Sequence, residues 1–210
     1  MDGTDTSQTF TDAKGHTMTA YGHAQIDTGV VQTGFDQSGL FDGNGDDYVQ
    51  ADYVADWDFG SGDFTIDFWV YPTLLTSDRC VISAGGYSNG WAIYVCSTTP
   101  PYKGGLACNS GGWAGRIILT DFILTSVWSH IAFMRAGNNL YGYINGYQKG
   151  HAAFTGTVNS GSGTLKVGTE RTYAFAGNMD EVRISKGIAR YGTGNDGDLI
   201  FTPPTSPYTS

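Results

Sequence analysis

Of the 20 carboxylates in this 210-residue chain, only Glu170 and Glu181 are glutamates, and the rest are aspartates. Acid–base cleavage of a glycoside needs two carboxyl groups, roughly 5 Å apart for retention and roughly 6.5–9.5 Å apart for inversion. Eleven residues separate the two glutamates, so no short motif pairs them. Asp63 with Asp67 and Asp56 with Asp58 are closer in sequence, but close-set aspartates are equally what the polar face of a strand presents. Nucleophilic chemistry is no better supplied. There is no Gly-x-Ser-x-Gly turn, and Cys80, Cys96 and Cys108 have no histidine near them in sequence. His16, His23, His130 and His151 show no zinc spacing with those cysteines. His130 reads as a packed, hydrogen-bonded side chain. These residues predict no enzyme, with a divergent polysaccharide hydrolase as the weakest alternative.

Oxygen ligands for a hard cation make a better case. Alternation through Met179 to Ile184 puts Asp180 on the side of Val182 and Ile184, expected to face the core. An inward carboxylate costs several kcal/mol unless a cation or N–H donors meet it. Calcium suits such a site, since it takes carboxylate and main-chain oxygens in flexible geometry. Asp42-Gly43-Asn44-Gly45-Asp46 opens like a D-x-N-x-D calcium loop. However, Asp47 stands where an EF-hand needs glycine, and no glutamate follows at the twelfth place. The expectation is one structural calcium ion on Asp180, with Asp42, Asn44 and Asp46 as candidates for the remaining shell. The competing readings are an arginine pair for Asp180 and an ordinary Gly-Asn-Gly turn for the loop. Asp12 and Asp196-Gly197-Asp198 are further aspartate-bearing loops of lower weight.

Sugar recognition uses aromatic faces against C–H surfaces, with amides and carboxylates for the hydroxyls. The segment from Gly85 to Trp113 is the best supplied, with Tyr87, Asn89, Trp91, Tyr102, Asn109 and Trp113 set among glycines. Tyr102 and Trp113 would form the apolar platform, and Asn89 and Asn109 would meet hydroxyls. The competing reading makes Trp91 and Trp113 core residues at strand starts.

The elements that must position these groups are strands. Charged residues are 15% of the chain, while it holds 31 glycines, 13 tyrosines, 11 phenylalanines and 5 tryptophans, a profile of strands and tight turns. Phe64 to Tyr71 alternates cleanly, with Phe64, Ile66, Phe68 and Val70 on one side and Thr65, Asp67, Trp69 and Tyr71 on the other. Further strands are expected at Cys80–Ser83, Trp91–Val95, Gly115–Leu119, Trp128–Arg135, Leu140–Ile144, Gln148–Phe154, Thr164–Val167 and Met179–Ile184. Gly85-Gly86, Gly137-Asn138-Asn139, Asn145-Gly146 and Ser160-Gly161-Ser162-Gly163 make the turns between them. A single helical turn is expected at Ile188–Tyr191. Strands in this number call for an all-β fold of two antiparallel sheets packed as a sandwich. Its length suits one domain, at 1–200, followed by a proline-rich terminal strap or linker at 201–210. The net charge of −9, with 11 Lys plus Arg and no basic stripe, argues against a nucleic-acid partner. No apolar run is long enough to insert into a membrane as a helix. Three cysteines leave at least one thiol without a partner in the chain, which fits synthesis in a reducing compartment; all three are expected as free thiols.

Four segments resemble a known family: 40–49 (LFDGNGDDYV), 62–70 (GDFTIDFWV), 128–133 (WSHIAF) and 178–187 (NMDEVRISKG). In order and spacing they are similar to the laminin-G-like, concanavalin A-like lectin/glucanase domains found in bacteriophage tail and virion proteins. The resemblance implies a jelly-roll sandwich, often a structural calcium ion beside the equivalent of Asp180, and non-catalytic binding of a glycan or host-surface polysaccharide. It also implies a place on a tail or capsid surface, next to other virion proteins, after synthesis in the host cytoplasm. A capsid-decoration or tail-assembly domain without sugar affinity is the alternative. Relatives place a hydrophobic strand ahead of Asp2-Gly3, so the first strand is expected to be missing or supplied differently. The paired glutamates of the glucanases in that superfamily, set as E-x-D-x-x-E or E-x-D-x-E, have no counterpart here.

Overall fold

The computed structural model describes residues 3–86, 90–96, 103–108, 115–121, 123–170 and 172–208. In chain order its strands are β1 (Thr9–Phe10), β2 (Met18–Tyr21), β3 (Gln25–Asp27), β4 (Ser38–Asp42), β5 (Tyr48–Ala51), β6 (Phe64–Pro72), β7 (Arg79–Ala84), β8 (Trp91–Cys96), β9 (Gly105–Cys108), β10 (Gly115–Ile118), β11 (Ser129–Ala136), β12 (Asn139–Ile144), β13 (Tyr147–Ala153), β14 (Leu165–Val167) and β15 (Ala176–Lys186). They form two antiparallel sheets. The eight-stranded sheet runs β1-β2-β5-β14-β7-β8-β9-β10, and the seven-stranded sheet runs β13-β12-β11-β6-β15-β4-β3. All nine expected strands are present. The short β1 to β5 and β9 join them.

Period-two alternation makes the core. Phe64, Ile66, Phe68 and Val70 of β6 point between the sheets with Ile131 and Phe133 of β11, and they meet Ile82 of β7 and Ile93 and Val95 of β8. Each such side chain contributes roughly 1.5–3 kcal/mol on burial. The sandwich also closes at both ends of its sheets. Just past β10, the Thr120 N–H reaches the Lys149 carbonyl of β13 at 2.5 Å, and the Ile26 N–H of β3 reaches Ser7, just before β1, at 2.7 Å. Neither sheet is left with a long open edge there.

The outer face of the seven-stranded sheet is covered too, which is why Thr65, Asp67 and Trp69 are buried although they point away from the core. Phe35, from the loop between β3 and β4, leans on Trp69 with ring centroids 6.4 Å apart. Residues 199–208 cross the same face. Phe201 stacks on Tyr191 at 3.6 Å and meets Tyr143 edge-on.

Two local expectations fail for visible reasons. Ile188–Tyr191 is irregular, because Thr65 Oγ1 donates to the Ile188 carbonyl at 2.8 Å and accepts from the Arg190 N–H at 3.0 Å, tying that backbone to β6. The inward placement of Asp180 also fails. A bulge between Asp180 and Arg183, with Glu181 at φ +50°, breaks the alternation of β15. Met179, Val182 and Ile184 face the core, so Asp180 falls on the outer face beside Trp69.

Candidate functional site

On its outer face the eight-stranded sheet carries a row of directly paired residues: Thr19, Gln50, Lys166, Ser83, Ala92 and Ala107. Two loops rise from this row and enclose a cleft of about 270 Å³ lined by Ser83, Gly85, Gly86, Gly163, Thr164, Lys166 and Glu170. One wall is the turn 160–164. The other is the loop carrying Glu170, whose described residues are fastened to β7 by the Gly168 N–H to the Val81 carbonyl (2.8 Å), Ser83 Oγ to the Thr169 carbonyl (3.1 Å), the Cys80 N–H to the Tyr173 carbonyl (2.9 Å) and Arg79 Nη1 to the Ala174 carbonyl (2.8 Å).

Three glycines, Gly85, Gly86 and Gly163, are part of the lining. Gly86 has φ +70°, and a Cβ there would stand 2.7 Å from Glu170 Oε1. Gly85, at φ +69°, lies so close to the Ser160 carbonyl that a side chain would overlap it. Glu170 is nearly fully buried and accepts the Tyr94 hydroxyl at 3.2 Å. Burial first, and then the neighbouring Cys80 and Glu170, push the Tyr94 hydroxyl well above its ordinary pKa, so it remains a donor at neutral pH. Lys166, also in the lining, holds its ammonium 4.5 Å from the centre of the Tyr48 ring, and Tyr48 stacks on the exposed Tyr21 at 4.6 Å. The described cleft lining therefore combines hydroxyls from Ser83 and Thr164, an ammonium donor and one carboxylate, with the Tyr48 ring beside Lys166. Those are the groups that meet a polyhydroxylated ring.

The residues singled out from sequence fare unevenly. Gly85 and Gly86, which open the expected 85–113 segment, line the cleft, but Tyr87, Asn89, Tyr102, Asn109 and Trp113 lie outside the described residues. Trp91 is a core residue and is not available as a sugar platform: it is fully buried, packs on Phe59 at 5.4 Å and donates Nε1–H to the Trp57 carbonyl at 3.0 Å. Glu170, Lys166, Tyr48 and Tyr21 were not anticipated as site residues. The usable signal was one of two glutamates, ten residues after the start of the Ser160–Gly163 turn.

Nor do the proposed calcium ligands converge. Register puts Asp42 opposite Ala176, four residues along β15 from Asp180, which is ~13 Å of strand. One ion cannot hold both. The Asp42 loop is instead closed on itself: Asn44 donates its N–H and Nδ2 to Asp42 (both 2.7 Å), and buried Asp47 accepts the N–H groups of His23 (2.6 Å) and Asp42 (3.1 Å). Burial works to raise Asp42, but these hydrogen bonds hold its carboxyl below the usual range, whereas burial raises Asp47. His23, Asp42 and Asp47 place donor atoms within 4.8 Å of one another, yet N–H groups already supply what an ion would. Asp46 is exposed on the same turn. Asp180, by contrast, lies on the outer face with Asn178, whose Nδ2 donates to Asp27 (2.7 Å) and Ser38 (2.9 Å).

The two glutamates do not pair. Glu170 lies on the outer face of one sheet, while Glu181 accepts the Tyr208 N–H on the outer face of the other, with ~10 Å of sandwich between the sheets. Asp58 is taken up by Ser160 and Tyr53, Asp63 by the Gly137 N–H and Asp67 by Arg183. Among the described residues lining the cleft, Glu170 is the single carboxylate.

An antiparallel two-sheet sandwich with a polar cleft on the outer face of one sheet defines a concanavalin A-like scaffold. Residues 42–189 match the family described as the concanavalin A-like lectin/glucanases superfamily, and the chain belongs to it. Among solved structures it is similar to domain 4 of AbnA, a GH43 extracellular arabinanase from Geobacillus stearothermophilus, in complex with arabinotriose; identity is 18%, coverage 82% of each chain and TM-score 0.59. It is also similar to the binding domains of Paraclostridial Mosquitocidal Protein 1 (17% identity, TM-score 0.62) and botulinum neurotoxin serotype G (15%, 0.62). Of these it spans 45% and 44%, with 83% and 84% of its own length covered. At such identities the likeness establishes the fold. No curated protein matches the chain.

Proposed function

We propose that this protein is a non-catalytic glycan-binding module whose ligand occupies the cleft between the loop carrying Glu170 and the turn 160–164. The observation that carries the reading is a cleft lined by buried Glu170, Lys166, Ser83, Thr164 and three glycines, with the stacked Tyr48 and Tyr21 reached through Lys166. A sugar ring lying on Tyr48 would offer its hydroxyls to Glu170, Ser83 and Thr164. With Glu170 the single carboxylate among the described residues lining the cleft, the reading is binding rather than cleavage. Arabinotriose, present in the arabinanase-domain structure, is a sensible first probe.

The resemblance in sequence extends this reading to a module on a phage tail or capsid surface, made in the host cytoplasm, meeting a host-surface polysaccharide and neighbouring virion proteins. Two buried free thiols, Cys80 and Cys108, suit synthesis in a reducing compartment. A structural calcium ion belongs to the same reading. Its donors would be Asp180 and Asp27, whose strands flank Ser38 on the outer face of the seven-stranded sheet. Screening the protein on a glycan array that includes arabinotriose, beside Tyr48→Ala and Glu170→Gln, tests the assignment. Binding that both substitutions weaken supports it. Multimerisation without affinity for any sugar, or binding indifferent to both, would overturn it.

A further inference from the structure

On the other sheet, the side chain of Tyr208 is received by groups from three adjacent strands. Its ring lies over the Arg183 guanidinium of β15 at 3.6 Å. Its hydroxyl donates to Asp67 Oδ2 of β6 at 3.0 Å and sits 3.2 Å from His130 Nε2 of β11. Its N–H donates to Glu181 Oε2 at the bulge of β15, at 2.5 Å. With the Tyr208 hydroxyl given to Asp67, His130 Nε2 takes the donor role toward the same oxygen. That assignment leaves His130 Nδ1 as the bare nitrogen, which has no hydrogen-bond partner among the described residues. Arg183 also grips Asp67 through Nε (3.0 Å) and Nη2 (2.5 Å), and Tyr191 donates its hydroxyl to the same carboxylate. The receiving surface is thus a cation face for an aromatic ring, an acceptor for its O–H, a donor for its oxygen and an acceptor for the backbone N–H beside it.

The segment bearing Tyr208 is held like a ligand. It is anchored at Phe201 and at Tyr208, while Thr205, Ser206 and Pro207 between them are exposed. At mid-length the Thr205 carbonyl rests against Gly34, whose φ of +96° and missing side chain make room for it. Pro203-Pro204 stiffens the span, which lowers the entropy cost of laying it down.

We infer that Asp67, His130, Glu181 and Arg183 form a peptide-binding site for an extended segment carrying a tyrosyl side chain, filled in cis by the chain's own residues 201–208. The strap is a latch, and Tyr208 is its key. This site is independent of the cleft on the opposite sheet. The test is to place a protease site after Gly197, in the exposed loop 193–198 where Gly197 has open space around it, and to cut the folded protein. The released segment 198–210 should stay bound through size-exclusion chromatography and exchange with a labelled synthetic peptide of the same sequence. Peptide carrying Tyr208→Ala should bind about tenfold weaker or worse, and Tyr208→Phe should fall between. A segment that leaves on cutting, or a Tyr208→Ala peptide that binds as well as the parent, overturns the inference. Should the cut chain unfold, the uncut chain decides. The His130 imidazole should titrate near 4 in the parent and move up toward its ordinary 6.5 in Tyr208→Ala, and an unmoved midpoint refutes the slot.

Discussion

The Tyr94 hydroxyl donates to Glu170 Oε2 at 3.2 Å across 76 residues of sequence, joining the sheet to the loop that carries the cleft's carboxylate. Both groups are buried, so the bond has little competition from water. Tyr94→Phe keeps the ring and removes this donor. It should lower unfolding free energy by about 1–3 kcal/mol, measured by denaturant titration, because a buried charged acceptor loses a partner. It should also weaken binding of whichever glycan the array identifies, since Glu170 is then less firmly placed.

Tyr48 separates binding from folding. Its ring stacks on exposed Tyr21 and under Lys166 at the surface, so Tyr48→Ala should change the melting temperature little. If the ring is the platform for a sugar, affinity should fall by about 2 kcal/mol, as for a hot-spot residue. Calorimetric titration of the parent and variant, each first shown to melt alike, checks this.

What could be read from sequence was whatever period two controls. Phe64, Ile66, Phe68 and Val70 announced the strand, its core face and hence the sandwich, because a one-residue slip would expose all four. Asp180 was misplaced by the same rule, since a bulge at Glu181 shifts parity without leaving a mark that alternation can register. Trp91 belonged to the core, since its neighbours Ile93 and Val95 share its face. Glu170 was invisible as a site residue for a different reason. Its importance comes from Tyr94, Ser83 and Gly86, which only the antiparallel register brings beside it.

Acid should expose His130. Burial first lowers its pKa to about 4, against the opposing pull of Asp67 3.9 Å away. A base whose folded pKa lies below its unfolded value of about 6.5 leaves stability intact above 6.5. Stability is then lost as pH falls from 6.5 toward 4, because the unfolded chain binds the proton first. The loss should level off below 4 at up to ~3 kcal/mol. Asp47, raised by burial, acts in the opposite sense near the foot of this window. Melting temperatures from pH 7 to 4 should fall more steeply for the parent than for His130→Gln, and parallel curves would contradict the assignment.

Calcium gives a prediction that discriminates between two aspartates. If Asp180 helps hold a structural ion, free calcium should raise the melting temperature and EDTA should lower it, since the ion binds only the folded chain. Asp180→Asn should abolish that response. Asp42→Asn should leave it in place, because Asp42 is engaged by Asn44 and lies ~13 Å away along the strand. A melting temperature indifferent to both calcium and EDTA would remove the metal from the reading.

The cysteines test the packing of β7, β8 and β9. Cys80 lies on the outer face of the eight-stranded sheet among Ala92, Tyr94 and Ala107, whereas Cys108 belongs to the core between the sheets. Thiols on opposite faces of one sheet cannot meet at disulfide geometry. In register Cys96 stands opposite Arg79, while irregularities in β7 set Cys80 against Tyr94, so Cys80 and Cys96 are not a directly facing pair. Burial, then nearby Glu170, pushes the Cys80 thiol well up, and burial pushes Cys108 up to about 12. Both should therefore stay unreactive toward a thiol reagent at pH 8 while the protein is folded, since the thiolate is the nucleophile. Denaturation without reductant should then release three titratable thiols, the count expected if all three cysteines are free. A count of one would establish a disulfide and overturn this arrangement of the strands.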